Sequence, residues 1–159
     1  MSGTKIKRLK ELKKIIARLQ KHGEKIIFTN GCFDIVHFGH IMYLEEAKEC
    51  GDCLIVAVNS DSSVRKIKGP KRPIVSESDR SRVIAGLACV DYVVIFKENT
   101  PLKLIKELKP DILIKGADWK KKNIIGADFV QSYGGKVRTI KLAKGRSTTK
   151  LIKKIIERL

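Results

Sequence analysis

A chain of 159 residues with 43% hydrophobic content can bury one sizeable core, and its 34 Lys and Arg against 17 Asp and Glu leave a formal charge of +17. The longest apolar runs, such as Leu54-Ile55-Val56-Ala57-Val58, are far too short to span a bilayer, and the N-terminus alternates charges with aliphatics, so the expectation is one cytoplasmic domain with no membrane partner. The charge attracts phosphorylated ligands, whereas nucleic acid is disfavoured as a partner because the basic residues are scattered and lack the interleaved aromatics of a base-stacking surface.

Residues 5 to 21 carry Ile6, Leu9, Leu12, Ile15, Ile16 and Leu19 at helical spacing, with lysines on the other face. This predicts an amphipathic N-terminal helix, whose stripe can pack on its own core or contribute to a homodimer. Strand-like runs follow at 25–30, 53–59, 91–96, 111–115 and 136–141, separated by helical patterns. That alternation predicts an α/β fold: a Rossmann-like, doubly wound, five-stranded parallel sheet with helices on both faces, forming a single domain over residues 1–159 with its core from residue 25 onward. Thr100-Pro101 suits a helix start, Gly134 a helix end and Ser147 the cap of a last helix.

In such sheets ligands sit at the carboxyl ends of the strands, near the switch in strand order. The first strand ends in Thr29-Asn30-Gly31-Cys32-Phe33-Asp34 and leads into His37-Phe38-Gly39-His40. Gly31 lets backbone amides approach a phosphate, and the helix that follows presents its positive end to anions. His37 and His40 lie one helical turn apart and can each donate a hydrogen bond to a phosphate oxygen, with Gly39 leaving room for a nucleotide between them. Thr29, Asn30, Gly31, Cys32, Phe33 and Gly39 are therefore candidate nucleotide contacts, and His37 and His40 candidate catalytic groups.

Cys50-Gly51-Asp52-Cys53 has the spacing of a metal or redox pair, but no second pair follows, and the expectation is reduced thiols at a helix end and a strand start with no protein-bound metal. Asn59 and Asp61 close strand 2, either as turn formers or as ribose or metal contacts. A basic connection, Lys66 to Pro73, precedes a helix beginning near Ser76. Arg65, Lys68 and Arg72, with Arg80 on that helix, are candidates for a substrate phosphate, and Asp34 for a sugar hydroxyl or for positioning the histidines.

Strand 4 ends in Lys115-Gly116-Ala117-Asp118-Trp119, whose Gly116, Asp118 and Trp119 can take a base or ribose. The last helix opens on Gly145-Arg146-Ser147-Thr148-Thr149, a second anion site in which Arg146 is suited to a leaving phosphate. Two anion sites at neighbouring strand ends fit a triphosphate better than a monophosphate.

Gly31-Cys32-Phe33-Asp34, His37-Phe38-Gly39-His40 and Arg146-Ser147-Thr148-Thr149 together resemble the cytidylyltransferase-like nucleotidyltransferase superfamily, from about Lys25 to the C-terminus. Within it, Asn59-Ser60-Asp61, Lys68-Gly69-Pro70-Lys71-Arg72-Pro73 and Gly145 to Thr149 are most similar to the heptose 1-phosphate adenylyltransferase family. The resemblance implies transfer of AMP from ATP, carrying Mg2+, to D-glycero-D-manno-heptose 1-phosphate, yielding ADP-heptose for the lipopolysaccharide core. The alternative it leaves is a cytidylyltransferase for glycerol phosphate or another polyol phosphate, an enzyme type that usually has Thr at position 32.

Overall fold

In the computed structural model of the protein, residues 4–119, 123–143 and 147–158 are described. Five parallel strands, β1 (Ile26–Gly31), β2 (Cys53–Asn59), β3 (Tyr92–Phe96), β4 (Ile112–Gly116) and β5 (Lys136–Ile140), lie in the order β3-β2-β1-β4-β5. The helices are α1 (Leu9–Lys21), α2 (Phe38–Lys48), α3 (Asp61–Lys68), α4 (Glu77–Gly86), α5 (Leu102–Leu108), α6 (Ala127–Ser132) and α7 (Thr148–Ile156). The strand order reverses between β1 and β4, so the crevice over that pair is the place where this architecture takes a ligand.

All seven residues of β2 are buried, as expected for a central strand covered on both faces. Their side chains alternate: Cys53, Ile55 and Ala57 join Leu12 and Ile16 of α1, Leu104 and Ile105 of α5 and Val130 of α6 on one face. Leu54, Val56 and Val58 meet Leu44 and Ala47 of α2 and Ile84 of α4 on the other. The two layers establish the doubly wound arrangement expected from the alternating pattern. Burial pushes the Cys53 thiol up to about 12, and all four cysteines are free thiols.

The N-terminal helix is shorter than its apolar stripe predicts. Residues 5–7 lie outside the helix and pair with β3 instead: Ile6 bridges Val93 in parallel, Lys7 N–H donates to Val93 O at 2.9 Å, and Val93 N–H donates to Lys5 O at 2.9 Å. Ile6 stands three residues before Leu9 and so mimics helical spacing, but the outer edge of β3 offers unpaired backbone groups that this segment satisfies. Ile6 consequently packs on the α2/α4 face, while Leu12 and Ile16 lie on the opposite one, with α1 against α5. The stripe thus serves the chain's own core. Pro101, not Thr100, occupies the cap position of α5. Ser147 caps α7 by accepting from Lys150 N–H at 3.2 Å. No described helix is long and apolar enough to cross a membrane.

Candidate active site

A cavity of about 540 Å³ opens at the carboxyl ends of the strands. Asn30, Gly31, Cys32, Phe33 and Asp34 line it from β1 and the loop beyond, and His37, Gly39 and His40 from the start of α2. Gly116, Asp118 and Trp119 contribute from the end of β4, and Ser147, Thr148 and Thr149 from the start of α7. Asn59, Lys68 and Arg72 complete the wall on the β2 side. Two helix N-termini therefore face one cavity at the switch point, and Thr148 Oγ1 donates to Ile35 O at 3.4 Å, tying one helix start to the loop that leads into the other. Gly145 and Arg146 lie outside the described residues.

The two histidines form the first turn of α2 by capping each other. His37 occupies the N-cap with extended backbone, and its Nδ1 accepts from Gly39 N–H at 3.1 Å. His40 Nδ1 accepts from His37 N–H at 3.3 Å. This is a capping box built from imidazoles. Because both Nδ1 atoms accept, each neutral ring carries its proton on Nε2. The rings lie 4.1 Å apart between centroids, tilted by 32°, and Phe33 packs edge-on against His40 at 5.5 Å. Burial, with His37 beside it, pulls the His40 pKa down to about 4, so the ring is neutral at physiological pH.

Phe33 holds this arrangement from below, with its backbone in the left-handed region (φ 48°) where a bulky residue is rare. A Cβ on Gly31 would lie 3.0 Å from the Phe33 ring. The bare Cα of Gly31 thus leaves the room in which the Phe33 ring is seated. Thr29 lies beneath the cavity: fully buried, its hydroxyl shares a 2.7 Å hydrogen bond with Tyr43, a residue of the wall.

The acidic and basic candidates divide sharply. Asp34 is buried; one carboxylate oxygen pairs with Arg72 Nε at 2.5 Å, and the other accepts from Ile74 N–H at 2.8 Å and Val75 N–H at 2.9 Å. It folds the Gly69 to Ser76 connection back onto the end of β1; the expectation for Asp34 was a sugar hydroxyl or the positioning of the histidines, and these contacts are with neither. Arg80 was expected on a substrate phosphate, but only 1% of its surface is exposed. Its guanidinium donates to Val75 O, Cys32 O, Asn59 O and Asp61 Oδ1. Arg80 and Asp61 are therefore corrected to structural roles under the cavity floor, since five donors in a rigid fork match convergent carbonyls as well as they match a phosphate. Asn59 is buried and donates to Ser63 Oγ at 3.0 Å. Arg65 projects from α3 without reaching the cavity wall, whereas Lys68, at the end of the same helix, does reach it.

Sequence reasoning overlooked Tyr43, Asn99, Pro101, Ile125 and Leu142 in the wall, none of which belongs to a motif. It also passed over Lys115, read only as part of a strand end. Its ammonium donates to Asn30 O at 3.2 Å and Asn30 Oδ1 at 2.8 Å and lies 5.6 Å from the centroid of the Trp119 ring. Among the described residues no group of three or more His, Cys, Asp and Glu side chains is placed to hold a metal ion.

The family described as cytidylyltransferase-like matches residues 28–154. The bifunctional protein HldE of Geobacter metallireducens is 51% identical over 155 residues, covering 98% of this chain and 32% of that protein. The HldE of Trichlorobacter lovleyi is 50% identical over 157 residues, again over 32% of its length. The chain thus spans about a third of the curated relatives it matches. Among solved structures, a lipopolysaccharide core biosynthesis protein from Thermoplasma volcanium superposes with a TM-score of 0.65 at 33% identity, covering 78% of this chain and all of that one. A pantoate-beta-alanine ligase from Francisella tularensis, with a TM-score of 0.61 at 17% identity, shares the fold.

Proposed function

Because the chain belongs to the cytidylyltransferase-like family, we propose that its cavity transfers AMP from ATP to D-glycero-D-manno-heptose 1-phosphate, releasing pyrophosphate and forming ADP-heptose. The observation that carries this reading is the pair of cavity-lining imidazoles at the N-terminus of α2 whose Nδ1 atoms both accept from backbone, which puts the proton of each neutral ring on Nε2. The HldE relatives and the lipopolysaccharide core protein support a heptose phosphate as the acceptor.

A sugar phosphate is already an anionic nucleophile near neutral pH, so the step needs no general base. One of its oxygens attacks the α-phosphorus in line with the departing pyrophosphate. His37 and His40 donate to oxygens on which charge accumulates. The start of α7, with Ser147, Thr148 and Thr149, holds the leaving pyrophosphate through amides and hydroxyls, and Arg146, which precedes it in sequence, supplies a guanidinium to the same group. Magnesium would enter with ATP, as part of the substrate, and would offset the charge of the triphosphate. Gly116, Asp118 and Trp119 receive the base and ribose, Lys68 and the Asp34-held Arg72 the acceptor side. Both substrates are cytoplasmic in this reading.

The test is a matrix of ATP and CTP against heptose 1-phosphate and glycerol phosphate, read as pyrophosphate release. ATP with the heptose phosphate should give the highest kcat/KM. Equal or better turnover of CTP with glycerol phosphate would overturn the assignment in favour of a polyol-phosphate cytidylyltransferase.

A narrower test concerns Gly116. A Cβ there would lie 2.5 Å from Asp118 Oδ1 and 3.1 Å from the Leu142 methyls. These are ends of movable side chains, so Gly116→Ala should fold with a melting temperature within about 3 °C of the parent. The displaced Asp118 carboxylate should raise the KM for ATP by roughly threefold or more, on the scale of a misplaced contact. An unchanged KM would remove Asp118 from the nucleotide site.

A further inference from the structure

We propose that Lys115 is a phosphate-binding residue at the meeting point of the two substrates, its ammonium held by Asn30 in the switch-point crevice and donating to a phosphate oxygen of either ligand. The inference rests on the reading of the cavity as a nucleotidyl-transfer site and adds to it a residue that no motif singles out.

Ile112 and Ile114 of β4 face α2 and α4, and Leu113 faces α1 and α5. By strand alternation Lys115 shares the side of Leu113, and Asn30, two residues beyond Phe28, takes the same side of β1. The two meet over the gap between the central strands, where the sheet order reverses. Lys115 therefore approaches the cavity from the side of the sheet opposite the histidine helix.

Arg72 is neutralised by Asp34, and Arg80 is used beneath the floor. Lys115 has no ion-pair partner among the described residues; its two acceptors are the neutral carbonyl oxygens of Asn30. An ammonium offers three N–H donors, and Asn30 receives two of them. A half-buried cation whose hydrogen-bond partners are all neutral is costly unless an anion arrives to compensate it. The titratable groups facing it are Asp118, which favours its charge, and the Cys32 thiol, which burial pushes up and so keeps neutral. Burial prevails and draws the Lys115 pKa down to about 8. In the free protein Lys115 thus begins to lose its charge just above neutrality, and a phosphate bound beside it would hold the proton in place.

The experiment measures binding of ATP, of heptose 1-phosphate and of inorganic pyrophosphate by titration calorimetry from pH 7 to 9.5, on the parent, Lys115→Met and Lys115→Arg. Lys115→Met should weaken at least one of the two substrates by about tenfold or more, the scale of a lost charge-assisted hydrogen bond. The substrate that weakens identifies the source of the phosphate. For that ligand the parent's affinity should fall above pH 8, while Lys115→Arg, charged throughout, stays flat. A merely structural lysine would not produce that difference in pH profile. The proposal is overturned if Lys115→Met binds every probe within twofold of the parent, or if the parent and Lys115→Arg share one pH profile. Failure of the nucleotidyl-transfer reading looks different: the parent itself would bind no nucleotide and release no pyrophosphate. The inorganic pyrophosphate titration would then still decide whether Lys115 binds phosphate.

Discussion

Replacing His40 with alanine should lower kcat for pyrophosphate release by about a hundredfold or more, the loss that follows removal of one preorganised donor to a developing anion. The substitution also removes the acceptor for His37 N–H, so it should cost about 1 kcal/mol of stability as a lost helix cap. His40→Gln separates the two effects. A glutamine at the third helical position can accept the N-cap amide in the usual capping-box manner, so stability should return while kcat stays at least about tenfold down. Turnover of His40→Ala within about threefold of the parent would sink the proposed role of the histidine pair.

The protonation state gives a second measurement on the same residue. The folded pKa of His40 lies near 4, below the ordinary histidine value of 6.5. Between these values the unfolded chain binds the proton more readily, so unfolding free energy rises with pH across that window. The stability contributed by the neutral ring is fully present above pH 6.5 and is lost as pH falls towards 4. Melting temperatures from pH 7 to 4 should therefore decline less steeply for His40→Gln than for the parent. Any acid limb in the rate between pH 5 and 7 belongs to another group.

Arg80→Met should be the most destabilising substitution near the cavity. It would leave the carbonyls of Cys32, Asn59 and Val75 without this donor and Asp61 without its ion-pair partner. Breaking a buried charged network from one side costs about 3–5 kcal/mol. For a domain of this size that corresponds to a melting temperature lower by roughly 6–20 °C. Activity should fall with stability, because the same guanidinium joins the ends of β1 and β2 to the connection carrying Arg72. Lys68→Met, which removes an exposed cation from the wall, should leave the melting temperature within about 2 °C and act on acceptor KM alone. A loss smaller than about 3 °C for Arg80→Met would show that the network is dispensable.

The contrast between Arg80 and Lys68 also shows where the sequence stops being readable. The strands were legible to within a residue, because a central parallel strand such as Cys53–Asn59 is apolar throughout and the helical patterns between strands leave few topologies. The cavity wall was legible for the same reason: once the strand ends are known, the motifs that follow them converge. Charge partners were not legible. Nothing in the order of residues distinguishes Arg80, turned under the floor, from Lys68, turned into the cavity, since both are single cations on helices and only the tertiary arrangement supplies the four carbonyl and carboxylate acceptors. Asp34 was missed as a fastener because its partners lie about forty positions away. Ile6 misled because one residue at the right spacing cannot report that the helix has not yet begun. His37 and His40 were read as donors, but their mutual capping, which selects the tautomer, needed the backbone.

The short segment around Ile6 also bears on how the protein behaves in concentrated solution. A five-stranded open sheet has two bare edges, each a template on which a strand from another molecule can pair. At β3 the Lys5 to Lys7 segment already occupies that template. At the opposite margin β5 turns Lys136 and Arg138 outward, and like charges meeting across a would-be junction oppose it. Part of the +17 charge is thus placed where it discourages edge-to-edge aggregation.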